Sequence, residues 1–222
     1  MLLLWLFSSP PYPAYFVALI CAIIVALTIH EFAHALASYS LGDRTAKDDG
    51  RMSLNPLVHI DLIGFLLLLV AGFGWAKPVV INTHNFKNPR LATGIISLAG
   101  PLSNFLAVII FGLYFKLFMP TFDFGLLYQQ IFMGIPVYSS LNLLVVFVFL
   151  LIYINTTLGV FNLIPIPPLD GSKVLFSFLS DAYYGLMDKF SLYGPFILIV
   201  AVFGGFLDGL FNWIFAILNS FL

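Results

Sequence analysis

Charge is scarce in this chain. Charged residues make up 9% of 222, with 61% hydrophobic residues and a mean hydropathy of +1.05, where soluble domains carry about 25% charge. That scarcity excludes a single water-soluble fold. No sign of charge is in excess either: the formal net charge is −1, which leaves no basic surface for nucleic acid. Cysteine is limited to Cys21, inside an apolar run. One thiol excludes an internal disulfide framework and any zinc cluster built on cysteines, and Cys21 itself reads as a small packed hydrophobe. Also lacking are an internal repeat, a low-complexity tract, and a polar block long enough for an appended soluble domain. Residues 1–13, MLLLWLFSSPPYP, carry no basic n-region and no small-x-small cleavage site, so they read as an interfacial segment and not a targeting peptide. The expectation is one membrane-embedded domain over 1–222, with a core at 14–180 and a C-terminal membrane segment at 191–222.

What is present is apolar length. A spanning helix needs about 20 mostly apolar residues, and four segments qualify: 14–41, 91–118, 141–164 and 191–219. A fifth run, 60–76 (IDLIGFLLLLVAGFGWA), is short and carries three glycines. The stretch 77–84 (KPVVINTH) has a β-branched centre after a proline, so it reads as a short strand. The predicted class is an all-α polytopic membrane protein with about four spanning helices, a re-entrant apolar segment and a small membrane-associated β element. Asp208, in GGFLDGLFNW, is a carboxylate in an apolar region. Its glycines break the run and put it near an interface.

The positive-inside rule decides whether 60–76 crosses. If it dips and returns, Arg44, Lys47, Arg51, Lys77, Lys87, Arg90, Lys173 and Lys189 share one side and Lys116 stands alone on the other. If it crosses, the split is four against five. The lopsided split is a topology and the even one is not, so 60–76 is predicted re-entrant, with the N-terminus outside. Irregular backbone at membrane depth survives only against protein or a wet cavity. Asp61, just before the dip, is placed to cap its helix.

The strongest local signal is His30-Glu31-Phe32-Ala33-His34. Residues four apart share a helix face, so both imidazoles can reach one zinc while Glu31 stands beside the water. Random placement of four histidines and one glutamate yields this pattern roughly three times in ten thousand chains of this composition. A merely structural histidine pair would leave three polar groups unsatisfied in lipid, so chance is set aside. Two histidines, one further ligand and a water form the open coordination of a hydrolytic zinc. The candidate third ligand is Asp170 in NLIPIPPLDG, residues 162–171. Three prolines stop the preceding helix, and Gly171 lets the chain pass close to the metal. On the triplet alone, a capping role for Asp170 is equally open. Parity supports ligation: His30, His34 and Asp170 meet on one side only if an even number of crossings separates them. Segments 91–118 and 141–164 supply two, if 60–76 is re-entrant.

Taken together, HEFAH at 30–34 and NLIPIPPLDG at 162–171, with GFGWAKPV at 72–79 and AGPLSN at 99–104, resemble the site-2 protease family of intramembrane zinc metalloproteases. The motifs span residues about 14–180, and the resemblance is nearest to compact members without a PDZ domain. It implies one zinc per chain, held by His30, His34 and Asp170, with Glu31 as general base. Asn162 and Asn104 are candidate oxyanion donors, each with helix–helix hydrogen bonding as the plainer alternative. The implied activity is hydrolysis of peptide bonds within or beside transmembrane segments of single-pass proteins, in a bilayer, from the cytoplasmic side of a prokaryotic cytoplasmic membrane. An extended substrate would add to a free edge at KPVVINTH. His59 reads as a solvated loop histidine, with an approach to the metal as the sharper reading, and His84 as an ordinary loop residue. Serine and aspartyl intramembrane proteases are excluded by the lack of GxSG and GxGD segments. A zinc carrier or a metal-stabilised scaffold is the alternative class, and neither has a use for Glu31. The residues name no substrate and no oligomeric state.

Overall fold

A computed structural model describes residues 12–71, 74–134, 141–179, 184–205 and 208–222. Most of the 1–13 segment and the side chain of Asp208 lie outside the described residues. The helices are α1 (Tyr12–Ser40), α2 (Thr45–Asp48), α3 (Leu62–Ala71), α4 (Pro89–Phe118), α5 (Phe124–Met133), α6 (Leu143–Leu163), α7 (Asp170–Ser177), α8 (Tyr184–Phe203) and α9 (Asp208–Phe221). Three of them, α1, α4 and α6, are long and apolar enough to cross a membrane, and they pack pairwise against one another.

These three helices are apolar outside and partly polar inside. Leu91, Ile95, Leu102, Leu106, Ile109 and Leu113 are exposed along α4, while Ser97, Gly100, Asn104 and Ala107 of the same helix are buried. A water-soluble amphipathic helix has the opposite arrangement, and a lipid solvent explains the inversion. Hydroxyls inside the spans are satisfied locally: Thr28, Thr156 and Thr157 each donate to the carbonyl four residues back. The helix ends carry sequence-readable caps. Asn88 accepts from Leu91 N–H ahead of Pro89, and Asn142 accepts from Leu144 N–H. α6 is the central helix, with Val146, Phe149, Leu150 and Ile152 fully enclosed. Gly159 faces Phe105 and Asn104, so α6 lies close to α4 there.

The two ends of the run 60–76 lie together. α3 has ten residues, about 15 Å of helix against about 30 Å of hydrocarbon. Asp61 accepts from Gly64 N–H at 2.8 Å, capping it. Ile60 and Ala76 form an antiparallel bridge, and Lys77 N–H donates to the His59 carbonyl at 2.8 Å. Gly64 and Gly74 stand so close that a Cβ on either would collide with backbone. Asp43, just past α1, then receives Asn82 N–H and the Asn85 amide, so both ends of the 43–85 stretch lie together.

Two expectations about architecture need correction. The β element at 77–84 is not a strand among the described residues. Residues 77–82 are extended beside the isolated Ile60–Ala76 bridge and 83–85 turn as a 3-10 helix; the Val79 and Asn82 N–H groups are taken by the side chains of Glu31 and Asp43. The fourth span, 191–219, is two shorter helices, α8 and α9, divided at Gly204–Gly205, with Gly205 at φ +72°. Only glycine takes that conformation freely, and the run is too interrupted to continue as one helix. Two smaller readings also change. Cys21 is exposed on α1 and not packed. His59 is buried, donating from Nε2 to the Ser53 carbonyl at 2.8 Å, while His84 is an exposed loop residue as expected.

Candidate metal centre

The site is assembled where the C-terminal half of α1 meets α4 and the loop after α6. His30 and His34 sit one turn apart on the buried face of α1. Asp170 opens α7, after the Pro165–Pro168 turn ends α6. A Cβ on Gly171 would strike the Leu163 and Ile164 carbonyls, so glycine there lets Asp170 fold back beneath the end of α6. The three ligand atoms converge: His30 Nε2 and His34 Nε2 are 3.0 Å apart, and Asp170 Oδ2 is 3.1 Å from each.

Hydrogen bonds on the far side of each ring fix what those atoms present. His34 Nδ1 lies 2.7 Å from the Ile96 carbonyl, which only accepts, so Nδ1 carries the proton. His30 Nδ1 lies 2.7 Å from Asn104 Oδ1. The amide cannot be reversed, because Asn104 Nδ2 donates to the Ala26 carbonyl and to Asn155 Oδ1, and Asn155 Nδ2 donates to the Leu151 carbonyl. Each neutral ring therefore turns a bare Nε2 lone pair inward, against a carboxylate oxygen. Three lone-pair atoms this close repel unless a cation lies among them. Tetrahedral zinc with bonds of about 2.0–2.1 Å spaces its ligand atoms by about 3.3 Å, so the group is a few tenths tight for zinc and chemically suited to it. His30, His34 and Asp170 are the one group among the described residues able to hold a metal ion in this way.

Neighbours close the shell. Asp170 Oδ1 accepts from Lys173 Nζ at 3.2 Å, one turn along α7, which leaves Oδ2 to face the histidines. Gly100 of α4 lies flat against both rings: a Cβ there would be 2.6 Å from His30 Cε1, His34 Cε1 and His34 Nε2. Next to it, buried Pro101 lacks the N–H that would bond Ser97 O. Glu31, half-buried beside the triad, accepts from Val79 N–H through Oε2 at 3.2 Å. The extended 77–82 segment thus holds the glutamate from the other wall.

Of the sequence-predicted residues, His30, His34 and Asp170 are brought together and Glu31 is adjacent to them in sequence. Asn104 Nδ2 donates to the Ala26 carbonyl and to Asn155 Oδ1, and its Oδ1 faces His30 Nδ1. Asn162 Nδ2 donates to the Leu158 carbonyl of its own helix at 3.1 Å, and not across helices as the plainer reading has it. The sequence assigns no role to Gly100, Asn155 or Asp43, and points to Val79 only as part of the KPVVINTH edge. Asp43 is fully buried at the α1 exit and accepts from Ser38, Thr45, Asn82 and Asn85. Burial alone would raise its pKa. The Thr45 hydroxyl and N–H, the Asn82 N–H and the Asn85 amide outweigh that and hold it well below the usual carboxylate range. Its one sequence signal is the Asp-x-Thr turn after Gly42.

Three apolar helices enclosing two histidines and a carboxylate, with a glutamate between the histidines, define an integral membrane protein of the metalloprotease class. Residues 18–202 match the family model for peptidase family M50, and the chain belongs to that family, the site-2 proteases, as a zinc metalloprotease. It is 38% identical over 182 residues to "Putative zinc metalloprotease YwhC" of Bacillus subtilis, covering 82% of this chain and 78% of that one. It is 27% identical over 216 residues to "Putative zinc metalloprotease Rip2" of Mycolicibacterium smegmatis, covering 95% and 74%. The corresponding protein MJ0611 of Methanocaldococcus jannaschii, named likewise, is 29% identical over 172 residues, covering 77% and 76%. No solved structure matches the chain.

Proposed function

We propose that the protein is an intramembrane endopeptidase, with zinc held by His30, His34 and Asp170, that cuts within or beside transmembrane segments of single-pass proteins from the cytoplasmic side. The observation that carries this reading is the meeting of three lone-pair atoms within 3.1 Å beside the chain's only glutamate, inside a helix fit to cross a membrane. Held by these three residues, zinc would supply Lewis acidity for the scissile carbonyl and the attacking water. Everything else falls to the chain. Glu31, steered by Val79 N–H, takes the proton of the attacking water on a carboxylate oxygen and returns it to the leaving amine. Ile96 O and Asn104 Oδ1 keep both imidazoles in the ligating tautomer. The lopsided distribution of Lys and Arg supports a cytoplasmic site, as does the return of 60–76 to its own side. The 77–82 segment, free of a strand partner beyond Ala76 among the described residues, remains the wall along which an extended substrate would lie. Asn162, part-buried eight residues before Asp170, is the remaining oxyanion-donor candidate, reached by releasing its bond to Leu158.

The test is mass spectrometry of products from a panel of single-pass substrates incubated with purified, zinc-loaded protein. Wild type should cut within a transmembrane segment, and Glu31→Gln should bind zinc and cut nothing. Equal cutting by both would remove Glu31 from the reaction. Cuts confined to soluble stretches would remove the intramembrane assignment.

A further inference from the structure

We infer that Asn155, in the middle of α6, is a positioning residue for the metal centre: it locks the Asn104 amide so that an oxygen, and never an NH2, faces His30 Nδ1. The inference rests on the metal reading of the triad and concerns a residue that touches no ligand atom.

The argument begins with the symmetry of an amide. The two ends of an asparagine side chain are nearly equal in shape and opposite in hydrogen bonding. If Asn104 turned over, NH2 would face His30 Nδ1. The ring would then hold its proton on Nε2, the position that must be bare to bind metal. Two groups oppose that turn. The Ala26 carbonyl accepts from Asn104 Nδ2 at 3.2 Å, and Asn155 Oδ1 accepts from it at 2.9 Å. The second bond is the shorter, and it comes from a side chain that is itself an amide. Asn155 is set in turn by donating to the Leu151 carbonyl at 2.8 Å, so its oxygen has one way to point. Direction therefore passes from the α6 backbone through Asn155 and Asn104 to His30.

Burial gives the chain its force. Asn104 and Asn155 are both at 0% exposure, among Val148, Leu151 and Ile152 of the apolar core, with no water to replace a lost partner. An asparagine needed only as glue between helices could meet any polar group. Here each of its groups is assigned, and the line ends at a ligand. The corresponding device on His34 is simpler, since Ile96 offers a carbonyl that cannot turn over. His30 has a side-chain amide in that place, and so it needs a second residue.

The experiment measures zinc affinity of the full-length protein in detergent, by competition with a chromophoric chelator, with far-UV circular dichroism as the fold control. Asn155→Leu should weaken zinc binding by about 10–100-fold, the usual loss for an outer-shell partner. The deciding variant is Asn155→Leu combined with Asn104→Asp. A carboxyl group offers His30 an oxygen whichever way it lies, and a proton on its other oxygen can reach Ala26. The double variant should therefore bind zinc as Asn104→Asp alone does, within about threefold. If Leu at 155 does not fold, Asn155→Ser replaces it, with the hydroxyl bonded four residues back as in Thr156 and too short to reach Asn104. Equal affinity of Asn155→Leu and wild type, or a double variant weaker than Asn104→Asp alone by the factor that separates Asn155→Leu from wild type, overturns the inference. Failure of the underlying reading looks different: wild type and Asp170→Asn would then bind zinc equally poorly.

Discussion

Gly100→Ala puts one methyl group against the triad. The added Cβ would stand 2.6 Å from three ring atoms, His30 Cε1, His34 Cε1 and His34 Nε2. Carbon contacts settle near 3.5 Å, so rings or helix must give way by about 0.9 Å. Metal–ligand distances tolerate only about 0.2 Å, several times less than that. The rings have little freedom to comply, since His34 Nδ1 is tied to Ile96 and His30 Nδ1 to Asn104. Both ties run to α4, the helix that carries the methyl group. Moving α4 away instead would break those same bonds. Backbone propensity works in the opposite direction: alanine inside a helix is favoured over glycine by about 0.5–1 kcal/mol, against about 1–3 kcal/mol for an overpacked core. The metal-free protein should therefore keep its helical circular dichroism with a small net loss of stability. Zinc retained after dialysis against a chelator, counted by elemental mass spectrometry, should fall from one per chain to near zero. A Gly100→Ala protein that keeps one zinc with unaltered affinity would refute the packing argument, and the placement of both rings with it.

Two further changes probe the walls of the site. Val79→Pro removes the N–H that Glu31 accepts without touching a ligand, so turnover should drop by one to two orders of magnitude, the scale of a misplaced general base, while zinc content stays at one per chain. Full activity would show that Glu31 needs no such support. Asp43→Ala strands donors from Ser38, Thr45, Asn82 and Asn85 and should cost about 2–4 kcal/mol in thermal or denaturant unfolding. The sign of the pH dependence follows from the lowered native pKa: the contribution is fully present above the unfolded carboxyl pKa, near 3.9, and is lost as pH falls through the lower native value. Wild-type stability should decline below about pH 4 more steeply than that of Asp43→Ala, and parallel acid curves would count against the clamp.

The sequence carries the candidate ligands because they obey local rules. His30 and His34 are four apart on a helix, and that spacing alone points both the same way. Charge counting and parity predict Asp170 on the side of the histidines, and the structure brings the two ends of 60–76 together through Ile60 and Ala76. Failures came where a neighbour decides. The segment 77–82 has strand-like residues, yet a β-branched pattern cannot reveal that a glutamate 48 residues earlier takes the Val79 N–H. Apolar length at 191–219 suggested one span, while Gly204 and Gly205 divide it into two helices. The motif around Asn104 is legible in the sequence, but its partners, Ala26 and Asn155, are not, because they lie on other helices. His59 read as a solvated histidine. Its burial depends on the chain doubling back, with Lys77 N–H meeting the His59 carbonyl.

The hidden residues share a physical cause. In lipid, a polar group without a partner has no water to fall back on, so each polar residue brought to the centre needs another to satisfy it. His30 needs Asn104, and Asn104 needs Ala26 O and Asn155. His34 needs Ile96 O, Asp170 has Lys173, and Glu31 has Val79. Each chain of need ends on a backbone group or at the protein surface, where no further side chain is required: Leu151 O for His30, Ile96 O for His34, half-exposed Lys173 for Asp170 and Val79 N–H for Glu31. The candidate metal centre is thus anchored in the main chain of α1, α4 and α6 at once. A change that leaves all the ligands in place but breaks a link short of its anchor should therefore weaken zinc binding, and one beyond the anchor should not.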